Sequence, residues 1–200
     1  MNCLRGVKTS VNGGQVKFEN ATRNLQLFVK MNFELISMTR GIRNNNPLNI
    51  RRSSTHWQGA RKEQTDKSFV QFETMAYGYR AAWRTLHTYF YRFVSQKRAF
   101  TIANIIRRWA PPTENDTEAY IRTMERLTGI GRDEKLYTPV NVMCYPQLSK
   151  LIAAMTIMEN GIPMTEVNRD AILEGYHLAF PDNRRALAEF MMEFDEYKDW

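Results

Sequence analysis

The stretch Arg40-Gly41-Ile42-Arg43-Asn44-Asn45-Asn46-Pro47-Leu48-Asn49-Ile50-Arg51 constrains the fold more than any other part of the chain. Asparagine side chains compete for their own backbone and proline removes a donor, so the stretch suits neither a helix nor a strand. Its polarity has no regular period and does not read as core. It predicts an irregular turn whose amides and guanidinium groups face a polar ligand.

Helical signals dominate the rest. Leu25, Phe28, Val29, Phe33 and Ile36 fall on one face of a helix predicted over Ala21 to Ile36. Thr74 is placed to cap a long helix from about Met75 to Gln96, with Tyr79, Trp83, Leu86, Phe90 and Phe93 stepping by three or four as core residues. Thr101 caps a shorter one carrying Ile102, Ile105, Ile106 and Trp109, and Pro111-Pro112 stops it. Asn115 or Asp116 starts the next, which closes at Gly129. Three further helices fit Pro146 to Asn160, Thr165 to Leu178 and Pro181 to Tyr197. Between the turn and the long helix, Ser68 to Phe72 has period-two character, so short strands are expected over Leu48 to Phe72. Asn12-Gly13-Gly14 fits a small hairpin or a loose arm.

Two blocks carry a family resemblance. The turn is followed by Trp57-Gln58-Gly59, Thr65-Asp66, Phe69-Val70-Gln71-Phe72 and Gly78-Tyr79-Arg80-Ala81-Ala82; further on comes Ile105-Ile106-Arg107-Arg108-Trp109-Ala110-Pro111-Pro112-Thr113-Glu114-Asn115-Asp116-Thr117-Glu118-Ala119-Tyr120. Over about residues 39 to 130 the chain resembles phage-type virion proteins and related cell-wall hydrolases of the lysozyme-like superfamily, and in outline it is similar to autolysin-type glucosaminidases. The resemblance implies a mainly α (α+β) fold, a lysozyme-like helical domain with a small β-hairpin region. It divides the chain into an amino-terminal extension or first helix over 1–37, a core over 38–130 and a helical part over 131–200 packed on that core. The implied function is a phage or prophage peptidoglycan hydrolase acting on murein glycan strands as a muramidase, lytic transglycosylase or glucosaminidase. Such a protein is made in the bacterial cytoplasm and acts at the cell wall or in a virion, beside other virion proteins.

Glycan cleavage needs a carboxylic acid to protonate the leaving oxygen, and usually a second carboxylate or a positioned water. Glu114 is the first candidate, in a proline-stiffened loop five residues after Trp109; a helix start also favours an acidic residue there. Glu34 is the second, since the resemblance puts the acid near the end of a helix before the turn. Its context, Phe33-Glu34-Leu35-Ile36-Ser37, lacks the usual Glu-Ser-Gly type pattern, and Lys30 four residues earlier offers an ordinary ion pair. Asp66 is the third, as a base or electrostatic partner, at a position where aspartate is also a routine turn residue. Asn45, Asn46, Asn49, Arg43 and Arg51 supply amides and cations for N-acetyl groups and hydroxyls, and Trp109 and Tyr120 supply flat faces for sugar rings.

Composition bounds the alternatives. The 200 residues fit one ordinary domain with room for an appendage, and no apolar run approaches the roughly 20 residues of a membrane span. No Sec signal is expected from Met1 to Gly14, which has no apolar stretch or cleavage site. Cys3 and Cys144 are too few for a disulfide framework, and His56, His87 and His177 lack ligand spacing, so neither metal nor other cofactor is expected. The net charge of +7 is uneven: residues 38–110 carry fourteen basic and three acidic groups, and residues 111–200 carry nine and sixteen. The basic block, interleaved with aromatics, could bind nucleic acid, meet an anionic wall polymer or pair with the acidic carboxyl-terminal part. A virion structural or wall-binding protein on the same fold, without turnover, stands as the alternative to the hydrolase.

Overall fold

The computed structural model describes residues 38–193. The amino-terminal hairpin, the helix over Ala21 to Ile36 and Glu34 lie outside the described residues. The chain divides into two compact units, Met1–Met38 and Thr39–Trp200, and the second is mainly helical.

Its elements follow the capping residues closely. A single turn, α1 (Arg40–Arg43), opens the asparagine segment. The long helix α2 (Met75–Ser95) starts where the Thr74 hydroxyl accepts from the Tyr77 N–H, and α3 (Ile102–Trp109) starts where Thr101 accepts from Asn104. Asp116 caps α4 (Thr117–Thr128), which ends on Gly129 at φ 71°; α5 (Tyr145–Asn160) ends on Gly161 at φ 62°. Both glycines occupy the left-handed region that closes helices at low cost. The last two helices start later than the sequence suggests. Asn168 accepts from the Ala171 N–H and so begins α6 at Arg169–Ala179, after a 3-10 turn at Met164–Glu166. A second such turn at Pro181–Asn183 precedes α7 (Arg184–Glu193).

The core is centred on Trp83, which is fully buried. Its indole N–H donates to the Ile172 carbonyl at 3.1 Å, Tyr145 stacks on it at 5.8 Å and Tyr176 meets it edge-on at 5.0 Å, so α2, α5 and α6 share one aromatic knot. Close approach of α6 to α2 depends on Gly175, where a Cβ would fall 2.7 Å from that of Tyr79. Helix α4 packs on both α3 and α5. His87 is structural, its ring against Tyr91 at 4.8 Å and Phe180 at 5.5 Å; burial and the neighbouring Arg84 cation lower its pKa.

The expected hairpin over Leu48 to Phe72 is replaced, among the described residues, by two isolated antiparallel bridges, Arg51 with Phe69 and Ala60 with Phe72. Side-chain amides take over much of the pairing a ladder would make. Gln71 Oε1 accepts from the Thr65 and Asp66 N–H groups, Gln64 Oε1 accepts from the Gln71 N–H, and Asn46 Nδ2 donates to the Ile50 and Val70 carbonyls. Beneath them Ile50, Val70, Phe72 and Ala81 form a small second core flanked by Trp57, Tyr77 and Trp109.

Candidate functional site

The asparagine turn docks on α2 at Gly78, where a Cβ would collide with the Asn45 carbonyl. Each asparagine then has a separate task. Asn44 Nδ2 donates to Asp66 at 2.8 Å, and its Oδ1 accepts from Gln71 Nε2. Asn45, at φ 51°, donates to the carbonyls of Phe72 and Glu73. Asn46 is fully buried and saturated: besides its two donations, its Oδ1 accepts from the Ile50 N–H at 2.8 Å. These three hold the turn together. Asn49, at φ 49°, reaches elsewhere, donating to Oε2 of Glu159 at 3.2 Å.

Glu159 is the residue that sequence reasoning missed. It lies in the last turn of α5, and its Oε1 accepts from the Trp109 indole N–H at 3.0 Å and from the Tyr120 hydroxyl at 3.1 Å. Three uncharged donors from three different segments therefore fix one half-buried carboxylate. Tyr120 is 5% exposed, and its burial together with the adjacent Glu159 carboxylate raises its phenol pKa well above the ordinary value, keeping it a donor.

Glu159 lines a cleft of about 650 Å³, the size of an ordinary small-molecule or oligomer site. Trp57, Phe69, Tyr89 and Trp109 supply aromatic wall, while Asn49, Arg51, Arg108, Glu114 and Asn115 supply polar groups. Two polar atoms of lining residues, Trp57 Nε1 and Asn49 Oδ1, are buried with no hydrogen-bond partner among the described residues. Such atoms cost stability unless water or a ligand satisfies them.

The structure sorts the sequence candidates. Asn49, Arg51, Trp109 and Glu114 line the cleft. Trp109 presents its N–H to Glu159, and Tyr120 stands behind that carboxylate as a donor rather than as a sugar platform. Glu114 sits at the rim with its side chain 64% exposed, 3.7 Å from the Arg51 guanidinium, so it lacks the apolar enclosure a general acid needs. Asp66 is committed to the turn. Its side chain, 9% exposed, pairs bidentately with Arg40 at 2.6 and 2.7 Å and also accepts from Asn44 and from the Ser68 and Phe69 N–H groups. The Arg40 guanidinium and these donors hold its carboxyl well below the usual carboxylate range, and nothing in that arrangement leaves it a lone pair for base work. Arg43 is exposed on α1 and does not line the cleft.

A signal for Glu159 is present in the sequence. The pattern absent around Glu34, a helix ending in glutamate, a small polar residue and glycine, occurs at Glu159-Asn160-Gly161. It follows the asparagine turn instead of preceding it. Asn160 strengthens the join, donating to the Pro47 carbonyl at 2.7 Å and accepting from Thr39 at 2.8 Å.

Comparison with known proteins gives one relative of high similarity. Protein P5 of Pseudoalteromonas phage PM2 is 40% identical over 144 residues, which span 70% of this chain and 82% of that protein. No protein-family model matches the chain.

Proposed function

The chain belongs to the family of Protein P5 of Pseudoalteromonas phage PM2, and from that premise we propose that it is a virion protein whose cleft takes the murein glycan of the host wall, with Glu159 as the acid that cleaves it. The observation that carries the reading is the Glu159 site: a carboxylate oriented by Trp109, Tyr120 and Asn49 in the wall of an aromatic cleft. Aromatic faces with a few fixed polar groups suit a sugar polymer, which has apolar ring faces and hydroxyl edges. In this reading protonated Glu159 gives its proton to the glycosidic oxygen as the C–O bond breaks, a water molecule adds to the anomeric carbon and returns a proton to the carboxylate, and Tyr120 and Trp109 keep the carboxyl group aimed. Lysozyme-like architecture belongs to the same proposal, supported by the placement of the acid at the end of a helix beside the asparagine turn.

A second reading draws on one observation. The other carboxylate lining the cleft, Glu114, is exposed and paired with Arg51, so a two-carboxylate mechanism has no well-placed second member. A virion protein that grips the wall without turnover would need only the cleft. Incubating purified murein sacculi with the protein and analysing the soluble fraction by mass spectrometry decides between them. Cleavage releases fragments with a defined new end group, and Glu159→Gln abolishes the release; wall binding without soluble fragments selects the second reading.

A further inference from the structure

We propose that a second pocket, formed by arginines at the ends of α2 and α3, takes the carboxylates of the peptide side chains carried by the murein glycan, so that the preferred substrate is peptide-bearing glycan rather than a bare strand. This rests on the glycan reading of the cleft. The pocket, of about 320 Å³, is lined by Arg92, Phe93, Gln96, Arg98, Arg107 and Arg108. Phe93 is buried, and the Arg98 guanidinium lies over its ring at 4.9 Å, so one cation is held by an apolar surface. Arg98 is fixed further by donation to Asn104 Oδ1 at 2.8 Å, a neutral acceptor. Arg108 lies over the Tyr89 ring at 5.0 Å.

The charge of this pocket is largely uncompensated. Of its arginines, Arg107 pairs with Glu118 at 3.1 Å, and Glu118 also serves Arg132. No carboxylate among the described residues pairs with Arg92, Arg98 or Arg108. Helix dipoles favour cations in last turns and account for Arg92, Arg107 and Arg108 singly. They do not account for Arg98, which lies beyond α2, nor for the convergence of both helix ends on one concavity. The four arginines are exposed, so water screens their mutual repulsion; what their convergence supplies is a set of planar forked donors of the kind that suits a carboxylate.

Position selects the anion. Arg108 lines both this pocket and the Glu159 cleft, so an acidic branch leaving a chain bound in the cleft passes Arg108 into the pocket. A cavity this small receives one compact anionic group, whereas nucleic-acid backbone calls for a row of cations tracking successive phosphates.

The test is a binding comparison using the full chain, with murein glycan strands that carry their peptides and strands stripped of them by an amidase, the lactyl carboxylates that the amidase leaves being capped as methylamides. The wild type binds the peptide-bearing strands about tenfold more tightly. Arg92→Gln with Arg98→Gln brings that affinity down to the stripped-strand level and leaves stripped-strand binding unchanged, with melting temperature as the folding control. Equal wild-type affinity for the two strands, or an unaltered preference in the double variant, overturns the proposal while leaving the glycan cleft standing. Wild-type binding to neither strand overturns the glycan reading itself. Duplex DNA that binds the wild type and not the double variant, with no strand preference, replaces the peptide by a phosphate polymer.

Discussion

The indole N–H of Trp109 donates to Oε1 of Glu159 at 3.0 Å across 50 residues of sequence, tying the last turn of α3 to the last turn of α5. The Tyr120 hydroxyl reaches the same oxygen from α4. A carboxylate with one oxygen doubly held and the other accepting from Asn49 has little rotational freedom, so the group is held in one orientation in the cleft wall. Removing one donor should therefore loosen it without unfolding the site. Trp109→Phe and Tyr120→Phe are each expected to lower fragment release from murein about five- to tenfold, in line with one lost hydrogen bond to a charged group. The double variant should fall by less than the product, because both donors act on one oxygen. Rates of release on the four proteins, with melting curves alongside, check this.

Glu159→Gln should leave the fold nearly intact and stop cleavage. The amide oxygen keeps the bonds from Trp109 and Tyr120, and its NH₂ meets Asn49, whose own amide can turn over to present the oxygen that has no partner. Melting temperature is expected to shift by only a few degrees, whereas release should fall by about a thousandfold. Glu114→Gln at the exposed rim should keep more than about a tenth of the activity. The reverse ranking, with Glu114→Gln silent and Glu159→Gln active, would move the acid to the rim.

The asparagine turn makes a sharper contrast than its sequence implies. Asn46→Ala leaves the Ile50 N–H and the Val70 carbonyl without the partner Asn46 gives them, while the Ile50 carbonyl keeps the Val70 N–H, and should cost about 3 kcal/mol of stability. Asn49→Gly retains a backbone suited to φ 49° and removes the donor to Glu159. Its expected signature is reduced cleavage with a melting temperature close to that of the parent. Measuring melting and release on both variants separates the residue that builds the turn from the one that serves the cleft.

Much of the helical plan is legible because it is local. Thr74, Thr101, Asp116, Gly129 and Gly161 mark helix ends through contacts within a few residues, and the stripes of α2 to α4 fall where their spacing puts them. The site is not local. Asn49 and Glu159 are 110 residues apart, and Ile157-Met158-Glu159-Asn160-Gly161 reads by itself as an ordinary helix end. The strand expectation over Leu48 to Phe72 fails for a related reason. Alternation shows that Val70 and Phe72 point inward, but it cannot show that backbone pairing will stop at short bridges and that glutamine and asparagine side chains will supply part of the rest.

Asp66 provides a pH test of the turn that does not involve the cleft. Its carboxyl titrates well below the unfolded value of about 3.9, chiefly because of Arg40, with Asn44 and two backbone N–H groups adding to the effect. A depressed pKa in the folded state means the ionised form is bound preferentially by the fold. The stability it adds is complete above about pH 5 and drains away as pH falls below about 4 toward the folded pKa. Asp66→Asn removes the ion pair with Arg40 and should lower the melting temperature at neutral pH. The difference in melting temperature between parent and variant should be largest at pH 7, nearly the same at pH 5, and clearly smaller at pH 2.5. A gap that stays constant down to pH 2.5 would mean that the pair contributes through shape rather than charge. Cleavage measured at neutral pH on the folded variant should stay within about twofold of the parent, since Asp66 does not line the cleft.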